Sequence, residues 1–221
     1  MSFARSRLPW LAAALFAATA GAHAATLVSQ GFDDVGSLAT DGWVLANLNP
    51  DPAAEVDWFQ GNDDVFAAHS GSAGAYVASS WGAAAAGSTL QNWLITPTFS
   101  TATAGTVSFW MRGAADPGYT DTVSVGFSAG GTSAGSFALG APIAASGQWT
   151  EYSFSFAAGG AGSTARFAIE QAGSADLADY IGIDDLSVQT RAVTAVPEPA
   201  NALLLAAGLL GLAAWRRRAS R

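Results

Sequence analysis

The sequence predicts an all-β domain, an antiparallel sandwich of short strands, between two terminal targeting segments. Apolar and polar residues alternate with a period of two in four places, which is typical of half-buried strands. The apolar sets are Val107, Phe109 and Met111; Val123, Val125 and Phe127; Tyr152, Phe154 and Phe156; and Ala165, Phe167 and Ile169. Turn-forming clusters such as Ala115-Asp116-Pro117-Gly118 separate these runs. Residues 25–196 contain no segment with helical periodicity, which favours a sandwich of many short strands.

The first 24 residues have the three parts of a secretory signal peptide. Arg5 and Arg7 form a basic start, residues 8–20 are apolar, and Ala22-His23-Ala24 is a small-x-small cleavage site. A first transmembrane helix is the alternative, but the apolar run is too short for one. We therefore expect signal peptidase to cut after Ala24, so that the mature chain begins at Ala25.

Residues 197–221 form a second targeting segment. Its parts are a rigid polar spacer, an uncharged apolar run and a basic end: Pro197, Glu198 and Pro199, then residues 200–215, then Arg216, Arg217 and Arg218. A spanning helix needs about 20 apolar residues, so the run is short, although Trp215 suits the membrane interface and the arginines suit the cytoplasmic side. An amphipathic or core helix is disfavoured because the run is apolar all round. The segment predicts a single transmembrane helix at about residues 200–215.

This order of spacer, apolar helix and basic end resembles the PEP-CTERM sorting signal of Gram-negative bacteria. The resemblance implies recognition by an exosortase, a membrane-embedded protease-transferase, and a link to exopolysaccharide export. It implies a route in which the tail anchors the exported protein in the inner membrane until processing near Pro197-Glu198-Pro199 releases it to the cell envelope, outer surface or extracellular matrix. Residues 193–196 then form a linker after a single domain at residues 25–192.

The mature domain is strongly acidic. It has no lysine, and only Arg112, Arg166 and Arg191 remain against sixteen acidic residues once the terminal segments are removed. Such a surface repels phosphate backbones, which argues against a nucleic-acid partner, and it attracts divalent cations or basic partners. The chain has no cysteine, which excludes disulfides, thiol nucleophiles and thiolate metal sites.

The last predicted strand contains a change of phase. Ile181 and Ile183 have one parity and Leu186 and Val188 the other, with Asp184-Asp185 at the change. One interpretation is a β-bulge, which often lies beside a functional site. The other is a strand buried on both faces, in which the two acids would need partners because a bare carboxylate is costly to bury.

Several short motifs occur in a characteristic order along residues 26–188. They are Phe32-Asp33, Gly42-Trp43, Trp58, Trp93-Leu94-Ile95-Thr96-Pro97, Val107-Ser108-Phe109-Trp110 and Ile183-Asp184-Asp185-Leu186. This order resembles the choice-of-anchor J domain and, more distantly, cleaved-adhesin and MAM domains. The resemblance implies a jelly-roll-like antiparallel β-sandwich on bacterial surface proteins with interchangeable C-terminal anchors. It also implies a structural calcium ion, which in the cleaved-adhesin relatives is held by an acid after the first strand and an acid in the last strand.

The residues that match this calcium pattern are Asp33, Asp184 and Asp185. Calcium takes about six to eight oxygen ligands, carboxylates among them. These side chains could supply the carboxylates if the first and last strands are neighbours. The alternative is that Asp33 and Asp34 cap a turn and that one of the two later acids faces solvent.

Two of the six tryptophans in the mature domain are candidates for exposed, glycan-binding aromatics. Trp81 lies in a Gly/Ala/Ser-rich segment and Trp58 is flanked by acidic residues and Gln60. Trp43 and Trp93 fall inside the family-like motifs and are expected in the core, because aromatic side chains are major core fillers.

Signals of catalysis are weak. His69 is the only histidine left after processing, so a Ser-His-Asp arrangement would have to use it, yet no G-x-S-x-G motif accompanies it. We therefore expect an exported, non-catalytic envelope or matrix protein associated with exopolysaccharide, envelope proteins or surface adhesion. A carbohydrate-binding module, a secreted hydrolase and a purely structural matrix protein are the alternatives.

Overall fold

The computed structural model describes residues 24–53, 57–114, 116–191, 208–209 and 215–219 of the 221-residue chain. The predicted signal peptide, apart from Ala24, lies outside these residues, as do the linker and the Pro197-Glu198-Pro199 spacer. Residues 208–209 and 215–219 are helical, and the rest of the predicted 200–215 helix lies outside the described residues. Among the residues described, no helix is long and apolar enough to cross a membrane.

Residues Ala24–Ala192 form a compact unit of short strands. In chain order the strands are β1 (Thr26–Gln30), β2 (Val44–Asn47), β3 (Phe59–Gln60), β4 (Val77–Ser80), β5 (Thr89–Ile95), β6 (Phe99–Ser100), β7 (Gly105–Gly113), β8 (Thr122–Ser128), β9 (Ala138–Leu139), β10 (Ile143–Ala144), β11 (Thr150–Phe156), β12 (Thr164–Ser174) and β13 (Tyr180–Thr190). Four 3-10 turns lie between them, at Val35–Ser37, Trp81–Ala83, Ala134–Ser136 and Ala175–Leu177.

The strands form two antiparallel sheets. The first sheet has the order β11-β7-β13-β4-β3, with β1 also paired to β13. The second sheet has the order β10-β8-β12-β5-β2, with β6 paired to β12 and β9 to β8. Neighbouring strands are often distant in sequence, so long connections cross between the sheets as in a jelly roll. The predicted all-β, jelly-roll-like sandwich is confirmed.

The core lies between the two sheets and follows the period-two pattern of the sequence. Val107, Phe109 and Met111 of β7 are fully buried, whereas the residues between them are half-buried on the other face. Phe167 and Ile169 of β12 are fully buried in the same cluster, which joins both sheets. Alternation on half-buried strands produces this separation of faces, because successive side chains point to opposite sides of a strand.

The Gly/Ser/Ala-rich segment at residues 129–140 is more ordered than its composition suggests. It contains a 3-10 turn and β9, and Phe137 packs against Trp93 with ring centroids 5.6 Å apart. Gly126 makes this close approach possible, since a Cβ there would lie 2.2 Å from the carbonyl oxygen of Ala138. The segment therefore covers part of the outer face of the second sheet.

Strand β13 is the central strand of the first sheet and changes neighbours halfway along. One edge pairs with β7 over almost its whole length. The other edge pairs first with β4, at Tyr180 to Ile183, and then with β1, at Leu186 to Gln189. The start of β4 and the end of β1 therefore both lie next to the middle of β13. The first and last strands of the domain are thus neighbours, as the proposed calcium pattern requires.

Candidate metal centre

The phase change in β13 is a β-bulge. The register with β7 shifts between Asp184 and Ser187, and Asp185 has a φ of 47°. A non-glycine residue with positive φ is strained by about 1–3 kcal/mol, and such strain is concentrated at functional sites. Of the two interpretations of the sequence pattern, the bulge is confirmed. It lies at the point where the neighbour of β13 changes from β4 to β1.

Asp184 is completely buried at this bulge. Its Oδ2 accepts hydrogen bonds from the backbone N–H groups of His69 at 2.9 Å and Ser70 at 3.1 Å, and its Oδ1 accepts one from Asp185 at 2.7 Å. Burial raises the pKa of Asp184 to about 6, although these three hydrogen bonds act in the opposite direction. A carboxylate has about four acceptor positions, so one remains for a further partner.

Asp185 joins the bulge to the same loop through its side chain. The hydroxyl of Ser70 donates to Oδ1 at 2.8 Å, and Nδ1 of His69 lies 2.7 Å from Oδ2. The imidazole of His69 also stacks on the indole of Trp110, with centroids 3.7 Å apart and planes 14° from parallel. Ligand atoms of His69, Asp184 and Asp185 all lie within 4.8 Å of one another.

Asp33 follows the end of β1 and lies beside Gly71 of the loop that Asp184 holds. The preceding Phe32 has a φ of 54° and is fully buried against Trp43, with ring centroids 5.4 Å apart. Gln60 stabilises this chain path, because its amide donates to the carbonyl of Phe32 at 2.9 Å and accepts from the N–H of Val35 at 2.9 Å. Asp33 itself takes part in no hydrogen bond within the described residues and is exposed.

Two glycines border the space between Asp33 and the bulge. A Cβ at Gly31 would lie 3.6 Å from Oδ2 of Asp33 and 3.9 Å from Oδ1 of Asp185. A Cβ at Gly71 would lie 3.2 Å from Oδ1 of Asp33, and the φ of Gly71 is +76°. A Cβ at Gly31 would thus be in ordinary contact with both carboxylates, and one at Gly71 would crowd the carboxylate of Asp33.

This donor set fits a hard cation. Ligand atoms of Asp184 and Asp185 lie within 4.8 Å of each other, Asp33 lies beside Gly31 and Gly71 at the edge of this cluster, and no arginine forms an ion pair with these acids among the described residues. Calcium prefers such oxygen ligands, whereas His69 offers a nitrogen that calcium rarely uses. His69 is hydrogen-bonded to Asp185 and stacked on Trp110, which suits a residue that orients the carboxylate of Asp185.

The arrangement does not form a catalytic triad. In a Ser-His-Asp triad the histidine lies between the other two residues and takes the proton of the serine. Here Asp185 lies between Ser70 and His69, and it accepts the hydrogen bond of the serine hydroxyl. The imidazole is therefore not placed to activate Ser70.

The other residue predictions have mixed outcomes. Asp34, the neighbour of Asp33, does cap a 3-10 turn, since its side chain accepts from the N–H of Gly36. Trp81 is 56% exposed, as expected. The expectation for Trp58 is wrong, because it is 3% exposed and belongs to the main core. Trp58 directly precedes the two-residue strand β3, in which Phe59 is half-buried and Gln60 is exposed, so the polarity of its neighbours does not indicate its own burial.

The contribution of residues 69–71 was not predicted from the sequence. Nothing periodic marks this segment, and it lies 115 residues from its partner Asp184. A weak signal was present, because His69 is the single histidine of the mature chain and stands directly before Ser70 and Gly71.

Comparison with known proteins agrees with this fold. The model of the Cleaved Adhesin Domain matches residues 34–148, just over half of the chain. The chain belongs to the cleaved-adhesin family. The model of the PEP-CTERM protein-sorting motif matches residues 195–218. Both resemblances stated from the sequence are confirmed, and together they make this an exported, surface-associated, adhesin-like protein that an exosortase-type system processes.

Solved structures of the same family superpose on most of the chain. The K1 cleaved-adhesin domain of Lys-gingipain from Porphyromonas gingivalis W83 is 19% identical, with a TM-score of 0.59 over 76% of this chain and 99% of that one. The K2 domain of Lys-gingipain is 22% identical, with a TM-score of 0.57 over 75% of this chain and 99% of that one. At such identities the likeness establishes the fold alone. No curated protein matches the chain.

Proposed function

We propose that this adhesin-like domain is a non-catalytic, calcium-stabilised component of the cell envelope or extracellular matrix that associates with exopolysaccharide. The observation that carries the proposal is the cluster at the β13 bulge, which has the donors of a hard-cation site and lacks the order of a catalytic triad. The PEP-CTERM sorting motif supports the association with exopolysaccharide, because resemblance to this signal implies a link to exopolysaccharide export.

Calcium would act on stability by connecting three separate parts of the chain. Asp33 follows β1, Asp184 and Asp185 lie in β13, and Gly71 belongs to the loop that Asp184 holds. A cation bound only by the folded state stabilises it by about 2.7 kcal/mol at 100 times its dissociation constant. It would also provide the positive charge that the carboxylate of Asp184 lacks among the described residues.

Two neighbouring aspartates allow a matched test of this site. Asp33→Asn removes a carboxylate that makes no hydrogen bond in the described residues, so the metal-free domain should keep its melting temperature while the increase caused by calcium is lost or much reduced. Asp34→Asn keeps a side-chain oxygen that accepts from the N–H of Gly36, so the melting temperature and the calcium effect should both change little. Equal melting curves of the wild-type domain in calcium and in EDTA would contradict a calcium site.

The exopolysaccharide association has a direct test. Purified Ala24–Ala192, which forms a compact unit with its own core, is titrated with the exopolysaccharide of the producing organism in calcium and in EDTA. We expect saturable binding that weakens in EDTA. Absence of binding in both conditions would reject the polysaccharide role and direct the search to envelope proteins or a purely structural matrix role.

The proposed route to the surface is testable in cells. The tail would hold the exported precursor in the inner membrane of a Gram-negative bacterium until an exosortase cuts near Pro197-Glu198-Pro199. Replacing these three residues with alanine should leave a larger, membrane-bound precursor, detected by immunoblotting of cell fractions. Normal size and release of this variant would contradict the route.

A further inference from the structure

Exposed apolar side chains are concentrated at one end of the sandwich. Trp81, Tyr119 and Leu177 are 56%, 50% and 60% exposed, and the only other exposed large hydrophobic residues among residues 24–53, 57–114 and 116–191 are Leu48 and Val65, at 46% and 42%. We call these three residues the end patch. Contiguous exposed apolar surface on a monomer is often functional.

Backbone hydrogen bonds hold the three segments of the end patch together. The N–H of Trp81 donates to the carbonyl of Asp179 at 2.9 Å, and the N–H of Thr120, next to Tyr119, donates to the carbonyl of Leu177 at 2.7 Å. Trp81 begins one 3-10 turn and Leu177 ends another. Because these turns are short and hydrogen-bonded, the aromatic side chains stand on a pre-organised surface.

A small core supports the end patch from below. Ala83, Ala84, Leu90, Ala175 and Ala178 are buried together under the two 3-10 turns. The side chain of Ser80 also caps the first turn by accepting from the N–H of Gly82. Poor packing therefore does not explain the exposure of these side chains, since the residues beneath them form a buried cluster.

The polar groups around the end patch are mainly acceptors. Asp116 and Asp176 are exposed, and Asp179 and the buried Asp121 lie close behind. The pKa of Asp179 is raised, mainly by burial. A hydrogen bond with Asp116 and the negative charges of Asp116 and Asp121 act in the same direction. The segments that form the end patch contain no arginine and the domain contains no lysine, so this surface repels anions.

We propose that the end patch binds a neutral polysaccharide, with sugar rings stacked on Trp81 and Tyr119 and their hydroxyl groups donating to the exposed carboxylates. The proposal rests on the glycan association proposed above and gives it a site and a ligand class. Aromatic faces suit the C–H faces of sugars, and carboxylates suit hydroxyl donors. Polysaccharides that carry uronates or sulfates are disfavoured by the negative charge of the surface.

The size of the end patch favours a sugar chain over a protein. Three side chains that are about half exposed offer roughly 300 Å² of apolar surface. A stable protein interface needs about 800 Å² from each partner. A few sugar rings, by contrast, are covered by two aromatic side chains and the polar groups beside them.

The test is a titration of Ala24–Ala192 with soluble neutral polysaccharides (galactan, xylan, mannan and mixed-linkage glucan) and with polygalacturonate as the anionic counterpart. We expect saturable binding to at least one neutral polymer and none to polygalacturonate. Trp81→Ala and Tyr119→Ala should each weaken the binding by about tenfold or more. Val65→Ala, which truncates an exposed hydrophobic residue outside the end patch, is the matched control and should bind as the wild type does.

Each other outcome overturns the proposal in a distinguishable way. Binding that both end-patch variants retain would place the glycan site elsewhere and leave the proposed exopolysaccharide association standing. Binding to polygalacturonate alone would reject the neutral ligand. Absence of all binding, together with self-association or protein capture that Trp81→Ala abolishes, would make the end patch a protein contact. Near-ultraviolet circular dichroism of every variant confirms that the fold is kept.

Discussion

The buried carboxylate of Asp184 accepts a hydrogen bond from the backbone N–H of His69, 115 residues earlier in the chain, at 2.9 Å. This bond, together with the one from Ser70, fixes the loop at residues 69–71 over the bulge of β13. The loop brings His69 onto Trp110 and Gly71 beside Asp33. One buried acid thus joins the loop to the bulge and holds together most of the candidate metal centre.

Asp184→Asn should destabilise the domain. The new amide keeps one acceptor oxygen but turns an N–H₂ group toward a backbone N–H that Asp184 now satisfies. An unsatisfied buried donor costs about 1–3 kcal/mol, so the free energy of unfolding measured in urea should fall by about that amount in the absence of calcium. Asp63→Asn is the control, because Asp63 is exposed in the same connection and should change the value by less than about 0.5 kcal/mol. Equal values for the two variants would show that the three hydrogen bonds to Asp184 do not stabilise the loop.

The sequence predicted the parts of this structure that depend on local pattern. Alternation located the buried faces of β7, β8, β11 and β12, and the change of parity after Ile183 located the bulge. Both depend only on the two-residue period of a strand. The need for partners around the two acids at the bulge was also predicted, because a bare carboxylate in a buried strand is costly.

The parts that were missed depend on contacts between distant segments. Residues 69–71 have no periodicity, so their position over β13 follows only from the fold. Trp58 was expected at the surface because of its polar neighbours, but its burial follows from packing in the main core against residues distant in sequence. Composition likewise gave no sign that Phe137 packs on Trp93.

The contrast between Trp58 and Trp81 has a measurable consequence for stability. Trp58 is 3% exposed inside the main core, so Trp58→Ala should reduce the free energy of unfolding by about 3–5 kcal/mol. Trp81 is 56% exposed, so Trp81→Ala should change it by about 0.5 kcal/mol or less. Urea unfolding of both variants gives the two numbers. A large loss in Trp81→Ala would mean that its indole supports the fold rather than a ligand.

Asp121 should give the domain a characteristic dependence on pH. It is 4% exposed, and it accepts from the N–H groups of Asp179 and Tyr180 at 3.1 Å each and from the amide of Gln171 at 3.2 Å. Burial nevertheless raises its pKa above the ordinary value of 3.8. The unfolded chain therefore releases this proton at a lower pH than the folded one does. The contribution to stability is complete below the ordinary pKa and is lost as the pH rises through the folded pKa.

Asp121→Asn removes this titration. The free energy of unfolding in urea, measured from about pH 4 to about pH 7, should decline less steeply for the variant than for the wild type. A slope remains, because burial raises the pKa values of Asp184 and Glu170 as well. The exposed Asp41→Asn should reproduce the wild-type slope. Parallel curves for Asp121→Asn and the wild type would contradict the raised pKa.

Alanine substitutions at Gly71 and Gly160 distinguish the effect of backbone strain from an effect on the geometry of the candidate metal centre. Both have positive φ, +76° and +91°, so an alanine at either position is strained by about 1–2 kcal/mol. A Cβ at Gly71 would lie 3.2 Å from Oδ1 of Asp33 and 3.1 Å from Cβ of Ala75, whereas nothing lies within 4 Å of one at Gly160. Gly71→Ala should therefore lower the melting temperature and also reduce the increase that calcium causes. Gly160→Ala should lower the melting temperature with an unchanged calcium effect. If both variants respond to calcium as the wild type does, the cation does not bind in the space between Asp33 and the bulge.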